Sequence, residues 1–555
     1  MKNDLCHQAF KSEQTMTEQG PTQNYDYIIV GGGSAGCVLA NRLSENPKNR
    51  VLLLEAGKND NWIWFHIPAG YLFAIGNKRA DWCFETTQQV GLHGRAIAYP
   101  RGRVLGGSSA INGMIYMRGQ AQDYDNWRQL GLTGWGWDDV LPVFKSHEDH
   151  FLGASDMHGV GGEWRVEAPR ISWQVLDRYR DAAAECGIKK IEDFNLGDNA
   201  GSAYFQVNQR RGLRWSAAKG FLKPVMHRKN LRVEMGCLVD KVLIKDGVAH
   251  GIEWRQDGQV RQAFAAHEIV LTAGAVGSVQ ILMRSGIGDG QVLSTLGIEP
   301  KCDLPGVGAN FQDHLQLRII FKVKGIKTLN ETYANLFKRS LMGLNYIVNR
   351  RGPLTMAPSQ LGMFARSGPD VDRADLQFHV QPLSLDKFGE PLHRFSALTA
   401  SVCNLRPESR GHIAISSTDP MVAPVIAPNY LSAQRDRIIA ARSIRLARLI
   451  IAAPALRAYS PEEFLPGHDL GDSDEALIKA AGDIGTTIFH PVGTAKMGLR
   501  SDPMAVLDER CRVFGLKGLR VADASVMPFI TSGNTNSPTI MIAEKVSAYI
   551  LQDNM

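Results

Sequence analysis

Gly31-Gly32-Gly33-Ser34-Ala35-Gly36 matches the pattern G-x-G-x-x-G. Each glycine has a physical task in cradling a dinucleotide. Gly31 allows a tight turn, Gly33 lets the main chain approach a pyrophosphate, and Gly36 lets a helix pack closely on a strand. Ser34 and Ala35 open that helix, whose free N–H groups and dipole favour phosphate. Glu55 follows Gly36 by 19 residues, with Ala56 beside it. An acidic residue there accepts hydrogen bonds from a ribose diol. This unit alone does not separate NAD from FAD. Distant glycine-rich segments also need a ligand, so an extended FAD crossing several of them fits better than a compact NAD.

The elements that must hold this loop are legible. Tyr27-Ile28-Ile29-Val30 is an apolar run rich in β-branched residues, expected as a buried parallel strand. Ala35 to Leu43 reads as a helix and Val51 to Leu54 as a second buried strand, giving a βαβ unit. Further strand signals lie at 231–244, 247–255 and 267–271, and helices at 277–283 and 539–551. Between about 320 and 470 the texture changes to amphipathic helices and irregular strands.

Composition bounds the rest. A chain of 555 residues, 44% hydrophobic and 21% charged, is not disordered, collagenous or a disulfide scaffold. A net charge of +6 over that length gives no basic stripe, so no nucleic-acid partner is expected. The eight cysteines form no C-x-x-C pair, so neither a metal site nor a redox dithiol is indicated. Free thiols suit a reducing compartment, and a cytoplasmic location is expected. No apolar run is long enough to span a membrane. Residues 1–24 are polar and are expected to be a flexible tail rather than a secretory signal. Glycine is the outlier, at 55 residues.

The extra glycines cluster. Gly102-Arg103-Val104-Leu105-Gly106-Gly107-Ser108-Ser109-Ala110-Ile111-Asn112-Gly113-Met114 is one segment, and Gly274-Ala275-Val276-Gly277-Ser278 running on to Ser285-Gly286-Ile287-Gly288 is another. A third comprises His490-Pro491-Val492-Gly493-Thr494, Met497-Gly498, Asp523-Ala524-Ser525 and Gly533-Asn534-Thr535-Asn536. On these motifs the chain resembles the glucose–methanol–choline (GMC) family of FAD oxidoreductases over about residues 25–553. Asp81-Trp82, Glu85-Thr86 and Leu405-Arg406-Pro407-Glu408-Ser409-Arg410-Gly411 tilt it towards the bacterial alcohol dehydrogenase and choline dehydrogenase branch.

The resemblance implies an α/β fold (α+β overall): a discontinuous Rossmann-like FAD-binding domain, with an inserted substrate domain of antiparallel sheet plus helices. The boundaries expected are 25–165, 215–320 and 475–555 for the first domain, and 166–214 and 321–474 for the second. It places Arg103, Gly107, Asn112, Gly113, Met114 and Ile115 along the flavin and its phosphates, and Val239 near adenine. Ala273 and Gly274 follow a buried strand where a side chain would meet the cofactor. Asp523 and Ala524 are placed for the ribityl or pyrophosphate portion, and Asn534 and Thr535 reach the flavin.

Alcohol oxidation removes a proton from O–H and a hydride from carbon, the hydride passing to flavin N5. By the resemblance His490 is the proton acceptor, which histidine suits by its ordinary pKa. Asn534 matches the position that holds His or Asn in the family, and orients the substrate oxygen. Phe489 is expected as an apolar pocket wall. Some members bind FAD covalently through a histidine where this chain has Ile111, so non-covalent FAD is expected. Val279 replaces a frequent proline after Ser278. The expected reaction is primary alcohol to aldehyde, with a quinone, a dye-like carrier or O2 as electron acceptor. A lyase of the hydroxynitrile type and a non-catalytic flavin-binding protein are the alternatives. Aliphatic and aromatic alcohols, polyethers and choline remain open as substrates, and oligomeric state is unassigned.

Three stretches carry two readings each. The aromatic loop 62–73 is either a lid or packing against the FAD domain. Arg435 to Arg448, with five arginines, and Leu336 to Arg351 are basic and apolar. Each is either a solvated helix face over a core or a surface that lies on a membrane, peripheral to the inner membrane, and delivers electrons to quinone.

Overall fold

A computed structural model describes residues 23–386 and 390–554. The tail expected over 1–24 falls, up to residue 22, outside the described residues. The apolar runs read above form one sheet, ordered Leu231–Met235, Val51–Glu55, Gln23–Val30, Gln259–Leu271, Val248–Gln256, Leu238–Lys245. The first four strands are parallel, and the last two turn back antiparallel. Leu519–Val521, from near the end of the chain, adds parallel to the tip of Gln259–Leu271. Ile28, Ile29, Leu52 and Leu53 are at most 1% exposed, as continuous apolar strands covered on both faces should be.

The helix Ser34–Leu43 begins directly after the glycine turn. A Cβ at Gly36 would sit 1.8 Å from the carbonyl oxygen of Gly31, so no other residue lets this helix reach the strand end. The C-terminal helix Asn536–Asp553 packs beside it, and an ion pair from Arg42 to Glu544 (2.7 Å) ties the two. Chain ends about 500 residues apart in sequence therefore share one core.

A second, antiparallel sheet runs Glu462–Leu465, Leu315–Lys322, Ala397–Asn404, Leu376–Gln381, Leu361–Ala365, Gly201–Tyr204, with Gly485–Thr487 also paired to Leu315–Lys322. The boundaries expected at 320 and 475 cut through this unit. Leu315–Lys322 and Gly485–Thr487 are strands of it, and Leu477, Ala480 and Ala481 of helix Asp474–Ile484 belong to its core. Leu315–Lys322 is apolar like the strands of the first sheet, so its residue types alone do not say which sheet it joins.

Helix Gln434–Ile451 lies over this second core, burying Ile439, Ile444, Ala447 and Ile450. Its arginines meet carboxylates: Arg442 with Asp370 (2.7 Å), Arg445 with Asp474 (2.6 Å) and Arg448 with Glu463 (2.8 Å). This stretch is a solvated helix face over a core. The stretch Leu336–Asn349 behaves differently, as described below.

Candidate active site

The two sheets enclose a cavity of about 540 Å³. Its wall draws on all the glycine-rich segments. Of the residues expected at the cofactor, Gly31, Gly33, Ser34, Ala35, Glu55, Ala56, Arg103, Gly107, Asn112, Gly113, Met114, Ile115, Val239, Ala273, Gly274, Asp523, Ala524, Asn534 and Thr535 all line it. So do His490 and Phe489. Gly36 does not: its place is the helix–strand contact, and it is not a lining residue.

The cavity suits a dinucleotide phosphate. The N-termini of three helices, at Ser34, Gly274 and Asn536, open onto it, each presenting first-turn N–H groups and a positive dipole end, the Gly274 N–H being taken by Asp523. A side chain at Gly33 or Gly274 would meet no atom closer than 3.9 Å and would stand in the empty space. The buried Nδ2 of Asn536, in the same wall, has no hydrogen-bond partner. Ser34 Oγ donates to Asn536 Oδ1 (2.6 Å), joining two of these helix ends.

Glu55 is buried, and its two oxygens accept from the N–H groups of Gly32 and Gly57, each at 2.7 Å. Burial pushes its pKa up to about 7, against the opposing pull of those N–H groups and of Arg103. One lone pair on each oxygen remains for a diol. The Asp523 carboxylate is already engaged by four donors: Gly274 N–H and Ser278 Oγ on one oxygen, Ser525 N–H and Oγ on the other. It clamps the central and C-terminal segments together.

At the far end stands His490, 7% exposed. Its N–H donates to Asp313 Oδ1 (2.8 Å). Asp313 Oδ2 accepts from Tyr99, Tyr430 and Thr487. Arg101 donates to the carbonyl of Phe489 (2.8 Å), whose φ is +70°. The loop carrying His490 is thus pinned on both sides.

Hydrogen bonding fixes the protons on the ring. The Leu405 carbonyl can only accept, so His314 Nε2 (3.1 Å away) carries a proton and His314 Nδ1 is bare. That bare nitrogen lies 3.0 Å from His490 Nδ1, which must therefore donate. His490 Nε2 is left as an acceptor, and the Asn534 amide donates to it across 3.1 Å. Asn534 Oδ1 in turn accepts from Gln377 (3.3 Å). Burial, then the neighbouring His314, His379 and Arg101, holds the His490 pKa well below its usual value. The ring is a neutral base with its lone pair turned towards Asn534 in the cavity wall. His379 also lines the cavity, with its pKa lowered by burial to about 3 and its buried Nε2 without a partner.

Sequence reasoning missed Asp313, His314 and His379. Gln312-Asp313-His314 opens an apolar strand, an unusual trio in such a place. Nothing in one sequence connects it to residue 490. Of the aromatic loop, Tyr71 and Ile75 face the cavity while Trp64 stacks on Phe73 (3.9 Å between centroids) on the outside.

A glycine-cradled dinucleotide site that shares one cavity with a buried neutral imidazole defines an oxidoreductase of the two-sheet flavoprotein type. The comparisons agree. The GMC oxidoreductase N-terminal profile matches residues 25–316 and the C-terminal profile residues 407–543. The chain is 40% identical to human mitochondrial choline dehydrogenase over 536 residues, covering 95% of this chain and 89% of that one. It is 39% identical to an alcohol dehydrogenase (acceptor) of Pseudomonas putida, covering 95% and 96%. Among solved structures, pyridoxine 4-oxidase from Mesorbium loti superposes with a TM-score of 0.86 at 32% identity, covering 95% of this chain and 99% of that one. The chain belongs to the GMC oxidoreductase family, FAD-dependent enzymes acting on CH–OH donors.

Proposed function

We propose that this enzyme oxidises an uncharged primary alcohol to an aldehyde and passes the electrons to an acceptor such as a quinone, a dye-like carrier or O2. The observation that carries this reading is the oriented His490–Asn534 pair at the end of the cavity. The alcohol O–H displaces the Asn534 amide from His490 Nε2 and donates there, while the alcohol oxygen accepts from the freed amide, so one substrate atom is held by a base and a donor together. His490 takes the proton at Nε2. Its new charge is shared through Nδ1–H with His314 and onward to the Leu405 carbonyl. FAD, when bound, supplies the acceptor for the hydride that leaves the carbinol carbon. Ile111 lines the cavity where a linking histidine would be needed, which supports non-covalent binding.

The lining favours a neutral substrate over choline. A quaternary ammonium calls for a free carboxylate or an open aromatic face. The carboxylates of the described lining are Glu55, Asp81 and Asp523. Asp81 accepts from the N–H groups of Gly76, Cys83 and Arg101, and the other two are engaged as described. Of the lining aromatics, Trp82 is capped by the Arg103 guanidinium, 4.7 Å from its ring, while Tyr71, Phe84 and Phe489 also line the cavity, so it is the engaged carboxylates that disfavour choline. The test is anaerobic addition of benzyl alcohol, a linear primary alcohol and choline to the FAD-loaded protein. The flavin should bleach with the first two and not with choline. Bleaching by choline alone overturns the substrate reading, and a flavin that bleaches with none overturns the reaction. Repeating the assay in air with peroxide detection separates O2 from other acceptors.

A further inference from the structure

Helix Leu336–Asn349 stands away from both cores. Tyr346 is its only buried residue, and the Tyr346 hydroxyl donates to the Gly212 carbonyl (3.1 Å). Leu336, Phe337, Leu341, Leu344, Ile347 and Val348 are all exposed, Leu336 by 75% and Phe337 by 73%. At the helical turn angle these six fall within an arc of about 140°, a single apolar face turned to solvent. Single exposed apolar residues are ordinary, but a contiguous helical face of this size marks a contact surface.

The charges nearby have one sign. From Thr332 to Pro369 the sequence holds Lys338, Arg339, Arg350, Arg351 and Arg366, and no Asp or Glu. Lys338, Arg339, Arg350 and Arg351 are exposed, and among the described residues none of the four pairs with a carboxylate. Arg339 and Arg350 instead lie over the rings of Tyr333 and Tyr346. In contrast, four of the five arginines of helix Gln434–Ile451 are matched by acids.

The aromatic loop repeats the pattern next door. Its turn Pro68–Gly70 packs against Pro353–Thr355, which follows the helix. Ile63, Leu72 and Phe73 are exposed, Lys78 and Arg79 follow, and no acid occurs between Asp60 and Asp81. Tyr71 and Ile75 of this loop, and Pro358 beyond the helix, line the cavity.

We propose that helix Leu336–Asn349, with the loop beside it, docks the enzyme on an anionic lipid bilayer. The apolar face enters the acyl boundary and the four cations meet lipid phosphates, placing a wall of the cavity at the membrane surface. A second copy of the chain fits this face less well, because a two-fold contact would set these unpaired cations against their own kind. The docking is independent of the substrate reading and is measured without turnover.

The experiment is co-sedimentation of the full-length, FAD-loaded enzyme with vesicles of phosphatidylcholine, with and without phosphatidylglycerol. Binding should require phosphatidylglycerol and weaken as salt rises. The double substitution Phe337→Ser, Ile347→Ser should lower the partition about a hundredfold, tenfold for each large side chain withdrawn. Lys338→Gln with Arg339→Gln should reduce the preference for phosphatidylglycerol, and neither variant should change alcohol oxidation in vesicle-free buffer. An enzyme that stays in the supernatant with anionic vesicles overturns the proposal. So do variants that bind like the parent, or a dimer in solution that Phe337→Ser, Ile347→Ser converts to monomers.

Discussion

Replacing His314 with leucine tests the proton arrangement at the site. His314 does not line the cavity, so the substitution leaves the lining untouched. It removes the acceptor 3.0 Å from His490 Nδ1. In the resting enzyme a buried N–H then lacks a partner, a cost of about 1–3 kcal/mol. In the transition state the ring is becoming a cation, and a charge-assisted bond is roughly twice as strong as a neutral one. The difference between the two states, about 1–3 kcal/mol, corresponds to a fall in kcat of about five- to 150-fold. His314→Gln should recover most of it, because an amide can accept from His490 and donate to the Leu405 carbonyl at once. The assay is stopped-flow flavin reduction under anaerobic conditions, with FAD content and Tm as controls. In a His490→Ala background His314→Leu should cost nothing further. Undiminished reduction by a folded, FAD-loaded His314→Leu enzyme refutes the relay. An equal loss in the His490→Ala background shows that His314 acts on structure alone.

His490→Ala should retain bound FAD and lose alcohol oxidation by about 10²- to 10⁴-fold, the usual worth of a general base, as read by anaerobic bleaching. Parent activity should be flat at neutral and alkaline pH and decline only in acid, because the lowered pKa keeps His490 neutral over the upper range; a limb near pH 7 or above would contradict this. Stability should also be lost in acid. Buried His147 and His379 have pKa values lowered from 6.5 to about 3, so the unfolded chain binds more protons between those values. Their contribution is complete above pH 6.5 and falls by about 1.4 kcal/mol per pH unit for each below it; melts at pH 7 and pH 5 check the sign. Gly36→Ala should give protein that neither folds fully nor holds FAD, since its Cβ would lie 1.8 Å from the Gly31 oxygen; a yellow, stable variant would show that the helix can slide.

What the sequence determined by itself is local. The order strand, glycine turn, helix, strand follows from apolar runs and from glycines whose side-chain hydrogen alone fits. Contacts between near neighbours leave such marks in residue type and spacing. The positions of His490 and Asn534 were legible only through resemblance, because their pairing spans 44 residues and no spacing rule reaches that far. Tertiary structure alone decided the rest. It brought the Leu405 carbonyl, His314 and His490 into one line, and only that line sets which nitrogen of the His490 ring is left as an acceptor. It also separated two stretches that read alike. Gln434–Ile451 and Leu336–Asn349 are both basic and amphipathic, but one covers a sheet while the other turns its apolar face outward. Amphipathic periodicity records that a face is apolar. What meets that face depends on which elements the fold places opposite it.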